Sequence, residues 1–113
     1  MVERLESVQQ VFDQMPTRLL PEQADSLDVV IQICLTGNGG GQWYLIIKDS
    51  VLTVNLGSHD IPNMTMTMAS SDWLDIANGD SNSLGLFMSG KIRITGDMQL
   101  AMKMQTMLRF SSD

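Results

Sequence analysis

The segment "FMSGKIRITGDMQLAMKMQTMLRF", Phe87 to Phe110, sets two different periodicities back to back. In "KIRIT" (91–95), Ile92 and Ile94 alternate with Lys91, Arg93 and Thr95, the period-two pattern of a strand with one buried face. Asp97 then stands where a helix needs an N-terminal cap, and the apolar residues that follow recur at helical spacing. At 100° per residue, Met107, Leu100, Met104, Leu108, Ala101, Met98 and Met102 occupy one arc of roughly 220°. Gln105 interrupts that arc, and Gln99, Lys103 and Thr106 fill the remainder. A helix resting on a core needs an apolar stripe of only about 100° or somewhat more. This helix therefore has apolar surface beyond one packing contact.

Two explanations fit the excess. The helix is sunk between two layers or against a second copy, or one edge packs on a sheet while the other lines a cavity. Methionine favours the cavity, because its unbranched thioether repacks around ligands of different shape and specifies a unique core poorly. The chain has ten methionines, with Met64, Met66 and Met68 alternating in "NMTMTMA" (63–69) as well.

Working outward, residues 3–15 place Leu5, Val8, Phe12 and Met15 at helical spacing, and Pro16 ends that helix. From Leu27 to Thr36 the period is two: Leu27, Val29, Ile31, Ile33 and Leu35 face one way, Asp28, Gln32 and Thr36 the other. The glycine-rich "GNGGGQ" (37–42) turns the chain into "WYLIIK" (43–48), and "KDSV" turns it again into "VLTVNLG" (51–57). These glycines lack the Gly-Lys-Ser/Thr ending of a phosphate-cradling loop and lead into a strand. Ser70 or Ser71 can cap a short helix, "SDWLDIANG", whose Trp73, Ile76 and Ala77 share a face before Gly79 stops it. A second short helix, Ser83 to Met88, carries Leu84, Phe87 and Met88. The sum is a single α+β domain over residues 1–113: five mostly antiparallel strands with helices covering one face.

Composition limits function. With 113 residues there is room for one modest core, and a net charge of −6 argues against nucleic acid, whose phosphates need a basic patch. Cys34 is the only cysteine, which excludes an intrachain disulfide and a thiolate metal cluster; mid-strand, it reads as a buried small apolar group. His59, the only histidine, sits in a loop and reads as solvent-exposed. Asp72, Asp75 and Asp80 lack metal-loop spacing, and no nucleophile–base arrangement stands out. No apolar run approaches the roughly 20 residues that span a bilayer, and "MVERLESVQQ" is not a signal peptide. These features lead us to expect a cytoplasmic, non-enzymatic protein without metal or cofactor.

Taken together, "WYLII" (43–47), "PNMTMTM" (62–68), "SSDWLDIANGD" (70–80) and "LFMSGKIRITGDMQLAMKMQTML" (86–108) resemble the SCP2-like, sterol-binding domain of the sterol carrier protein 2 family. The resemblance spans about residues 26–110, includes the first helix, and is most specific from Phe87 to Leu108. It implies a five-stranded sheet, helices over one face and a hydrophobic tunnel between them. It also implies binding and transport of sterols, fatty acids, fatty acyl-CoA or similar lipids. Carried onto this chain, it assigns to the tunnel Leu84, Phe87 and Met88, then Met98, Met102, Gln105 and Thr106. Trp73 and Ile76 would cover the far wall, with Trp43 reaching in from the sheet. The ending "SSD" is not a peroxisomal address, which departs from eukaryotic carriers and suits a free-standing bacterial-type domain. The acidic surface suits at most transient membrane contact. The competing expectation is an accessory domain that docks a partner enzyme of lipid or isoprenoid metabolism, or forms a homodimer.

Overall fold

The computed structural model describes residues 5–20, 22, 24 and 26–107, the last three of these by backbone alone. Five strands form one sheet in the order β3-β2-β1-β4-β5: β1 (Asp28–Thr36), β2 (Gly41–Lys48), β3 (Val51–Leu56), β4 (Met64–Ala69) and β5 (Arg93–Gly96). The first three make an antiparallel meander. β4 pairs with β1 in parallel, and β5 returns antiparallel along β4. The sheet is therefore mixed, with one parallel pair at its centre.

Register explains which face is buried. Ile31 and Ile33 stand opposite Leu45 and Trp43 on one side and Met64 and Met66 on the other. Side chains alternate across a strand, so these apolar rows fall on one face, and all six are buried. The turn between β2 and β3 puts Asp49 and Ser50 at φ of 54° and 63°, the two-residue hairpin geometry whose twist matches the strands. Asn63 ties β1 to the start of β4. Its side-chain Oδ1 accepts from the Val30 amide, while its own amide donates to the Val30 carbonyl, both at 2.8 Å. The Asn63 carbonyl lies so close to Gly96, at φ 97°, that a Cβ there would sit 2.5 Å from it. A glycine is required where β5 hands over to the last helix.

Four helices lie among the described residues: α1 (Val8–Arg18), α2 (Ser70–Ala77), α3 (Ser83–Met88) and α4 (Met98–Met107). The first helix differs from the sequence expectation at both ends. It starts at Val8 because Ser7 and Gln10 form a capping box: the Gln10 amide donates to Ser7 Oγ and the Ser7 amide to Gln10 Oε1. It continues past Pro16 to Arg18. In the final turn the missing proline N–H removes one hydrogen bond but has little helix beyond it to disrupt. Leu5 lies outside the helix and is nonetheless buried. Asn78 holds it, accepting from the Leu5 amide and donating to its carbonyl, both at 2.8 Å.

The second helix also corrects the reading. Its N-cap is Ala69, not a serine. Ser70 is buried, and its hydroxyl donates to the Asn38 carbonyl at 2.6 Å, fastening the glycine-rich turn to the helix. Asp97 does cap the last helix, accepting from the Leu100 amide at 3.1 Å, and Asn82 caps α3. Phe12 of α1 stacks between Trp43 and Trp73, with ring centroids at 4.5 Å and 5.1 Å. That three-ring column joins α1, the sheet and α2 into one core.

The opposite face of the sheet is not bare. Gln32, expected to face solvent, is 4% exposed. The Gly57–Asn63 connection folds over it, and its amide nitrogen donates to the carbonyls of Trp43 and Gly57, both at 3.1 Å. Its Oε1 accepts from the His59 amide at 2.8 Å. His59 is accordingly half-buried rather than solvent-exposed, with its ring edge-on to Tyr44 at 5.3 Å. Cys34 is likewise half-buried, not interior: it belongs to this second face, beside Thr67 of β4.

Candidate functional site

Between the helices and the sheet lies a layer made almost wholly of carbon and sulfur. The sheet contributes Ile31, Ile33, Leu45, Ile47, Met64 and Met66, all buried. α1 contributes Val11, Phe12 and Met15, α2 contributes Trp73 and Ala77, and α4 contributes Leu100, Ala101 and Met104. Such a layer can hold an apolar group by burial and dispersion, and nothing in it can move a proton or an electron pair. Among the described residues no three His, Cys, Asp or Glu side chains gather as metal ligands.

Burial divides the last helix into two edges. Leu100, Ala101 and Met104 are inside, whereas Met98 is 44% and Met102 72% exposed. The two edges separate because the chain leaves β5 at Gly96 and α4 packs against β4 and β5 along one side only. The preceding helix behaves similarly. Leu84 is 55% and Met88 77% exposed, Phe87 is half-buried, and α3 has no buried residue at all.

The candidate lining residues thus fall into three groups. Trp43 and Trp73 are interior members of the aromatic column, and Ile76 is half-buried on α2 beside them. Leu84, Phe87, Met88, Met98 and Met102 form the outward, sulfur-rich edges of α3 and α4. Gln105 and Thr106 belong to α4, but their side chains lie outside the described residues, as does Leu108. Phe12 was not singled out as a lining residue, yet it sits at the middle of the column. Its zero exposure beside two tryptophans is a tertiary fact that helical spacing alone does not carry. No helix among the described residues is long and apolar enough to cross a membrane.

Known proteins share this fold. The chain is 30% identical over 102 residues to hydroxysteroid dehydrogenase-like protein 2 of Danio rerio, a match covering 89% of the chain and 25% of the relative. With the mouse protein of that name it is 30% identical over 103 residues, 90% of the chain and 21% of the relative. The chain thus spans about a quarter of the length of the curated relatives it matches. Among solved structures, palmitated sterol carrier protein 2-like 2 of Aedes aegypti superposes with a TM-score of 0.76 at 25% identity, over 89% of this chain and 93% of that one. The pattern of the SCP-2 sterol transfer family matches residues 8–109, and the chain belongs to that family.

Proposed function

We propose that this chain, as one domain over residues 1–113, binds and carries a long-chain apolar or amphipathic lipid between its sheet and helices. It does so without metal, cofactor or catalysis. One observation carries the reading: the apolar arc of α4 is over-wide, and only its Leu100–Met104 side is spent on the core, leaving Met98 and Met102 uncovered. Uncovered methionine on a helix facing an apolar layer suits a ligand of variable shape. The palmitate in the Aedes aegypti relative supports the same class of ligand. In this reading Met98, Met102, Leu84, Phe87 and Met88 touch the lipid chain, Trp43, Trp73 and Ile76 bound the far wall, and Gln105 and Thr106 offer its polar end a partner. The enclosed volume would be a few hundred Å3, in the ordinary range of ligand pockets.

A second reading draws on the same exposed edges. Leu84, Met88, Met98 and Met102 could be covered by a partner enzyme or a second copy instead of a lipid, and the greater length of the relatives favours a domain working beside others. Native mass spectrometry of freshly purified protein, with organic extraction of what co-purifies, separates the two. Carriage predicts a bound lipid mass and displacement of a fluorescent fatty acid at micromolar concentration. An empty protein that displaces no probe ends the carrier reading and leaves the docking one.

A further inference from the structure

At the end of β4, next to α2, there is a cleft of about 500 Å3 with Met68 and Ala69 as its apolar part. Its polar walls are Lys91 and Arg93 on one side and Asp72 of α2 on the other, with Thr36 and Thr67 between them. Register places these groups together. Thr67 pairs directly with Arg93, and Thr36 pairs with Ala69, which completes the floor. Side chains of directly paired antiparallel residues sit about 5 Å apart at Cβ, and Lys91, at the bend before β5 where its amide donates to the Leu86 carbonyl at 2.9 Å, also lines the cleft. β5 is an edge strand, so no further strand covers the two cations.

Among the described residues, the side chains of Lys91, Arg93 and Asp72 form no ion pair and no hydrogen bond. The chain has seven basic residues against thirteen acidic ones, and two of the seven converge here with no internal partner.

We propose that this cleft binds a single phosphate group, either free or as the phosphate of a lipid headgroup. A phosphate offers several acceptor oxygens in a compact tetrahedron. The Arg93 guanidinium can hold two of them in a fork, Lys91 supplies a second positive charge, and the Thr36 and Thr67 hydroxyls donate to the remainder. Asp72 tunes the selection. Its carboxylate brings the formal charge of the cleft to +1, which disfavours polyanions, and it can accept from a hydroxyl carried by a phosphate monoester. The polar groups of this site are distinct from those of the apolar layer, and the proposal stands or falls independently of lipid carriage.

The test is an amide-resolved NMR titration of the full chain with inorganic phosphate. A second arm uses phosphatidylglycerol vesicles, compared with vesicles of phosphatidylcholine. The proposal expects saturable shifts concentrated at Thr67, Asp72 and Arg93 with at least one probe. A Lys91→Gln/Arg93→Gln double variant should weaken that binding about tenfold or more, and Asp72→Asn should tighten it about fivefold by removing a nearby like charge. Saturation by inorganic phosphate assigns the free anion. Saturation by phosphatidylglycerol alone assigns the headgroup, and equal response to phosphatidylcholine assigns the phosphate without regard to net headgroup charge. Both variants change exposed or half-exposed groups, and their spectra away from the cleft report whether the fold is retained. The proposal is overturned if neither probe moves these amides below about 50 mM, where screening already shortens the reach of surface charge. It is equally overturned if the double variant titrates like the parent chain.

Discussion

Substituting the two edges of α4 separately should split stability from ligand affinity. Leu100 and Met104 are buried against β4 and β5, and truncating such a side chain to alanine removes its transfer energy and leaves a cavity, about 2–5 kcal/mol together. For a domain of this size each kcal/mol moves the melting temperature by about 4 °C, so Leu100→Ala should melt roughly 8–20 °C lower. Met102 is mostly exposed, and Met102→Glu should change stability by no more than about 0.5 kcal/mol, about 2 °C. Its effect belongs to the bound state. Full burial of a methionine side chain is worth about 1.5–3 kcal/mol, and a lipid chain lying against one side of it recovers roughly half to two thirds. Losing about 1–2 kcal/mol weakens binding about 5- to 30-fold, before the added cost of desolvating a carboxylate. Thermal melts and displacement of a fluorescent fatty acid measure the two quantities on the same samples. If Met102→Glu, alone and combined with Met98→Glu, binds lipid as tightly as the parent, that edge of α4 does not touch the ligand. The over-wide arc would then need a different explanation.

Two further perturbations test the frame around the layer. Phe12→Ala should cost about 3–5 kcal/mol as a fully buried aromatic truncation, and Phe12→Leu should keep most of the volume while losing two ring contacts of about 0.5–1.5 kcal/mol each. Equal melting temperatures for the two would show that the stack contributes only bulk. On the other face, Gln32→Ala leaves the Trp43 and Gly57 carbonyls and the His59 amide without their partner; the expected loss is about 1–3 kcal/mol. It should come with faster hydrogen exchange at His59 and lipid affinity within a few-fold of the parent. His59→Ala and Cys34→Ala, also on that face, should spare lipid affinity as well; a large loss with the fold intact would make either residue functional.

Much of this architecture was legible because alternation is a strong local signal. Ile31, Ile33 and Leu35, then Met64, Met66 and Met68, were assigned to a single buried face by period alone, and their burial agrees. In the last helix, helical spacing likewise put Leu100 and Met104 on the packed side, and both are buried. What escaped the sequence are interactions whose partners are distant in the chain. Ser70 looks like a cap until the Asn38 carbonyl, thirty-two positions away, claims its hydroxyl. Gln32 sits in the solvent-facing register, and only the path of the Gly57–Asn63 connection buries it. In the sequence Lys91 and Arg93 read as the polar side of a strand, and Asp72 as an acid without metal-loop spacing. Their convergence on one cleft depends on β4 lying between β1 and β5, a pairing order that no local pattern encodes.

The distribution of packing also bears on how a lipid would enter. At one end of the layer Phe12, Trp43 and Trp73 interlock, and Asn78 clamps the chain at Leu5 with two hydrogen bonds. At the other end α3 buries nothing, and α4 is held through Leu100, Ala101 and Met104 along one side. Local opening costs least where few apolar contacts must be broken. Displacing α3 from the core gives up half-buried Leu86 and Phe87, whereas displacing α1 gives up Val11, Phe12 and Met15 entire. On the lipid-carrying reading, the ligand therefore enters and leaves by the loosely packed α3 and α4 edges, and the aromatic column stays shut as the domain fills and empties. On the same reading Met88, Met98 and Met102 suit the yielding end, since a thioether accommodates more ligand shapes than a branched aliphatic chain does.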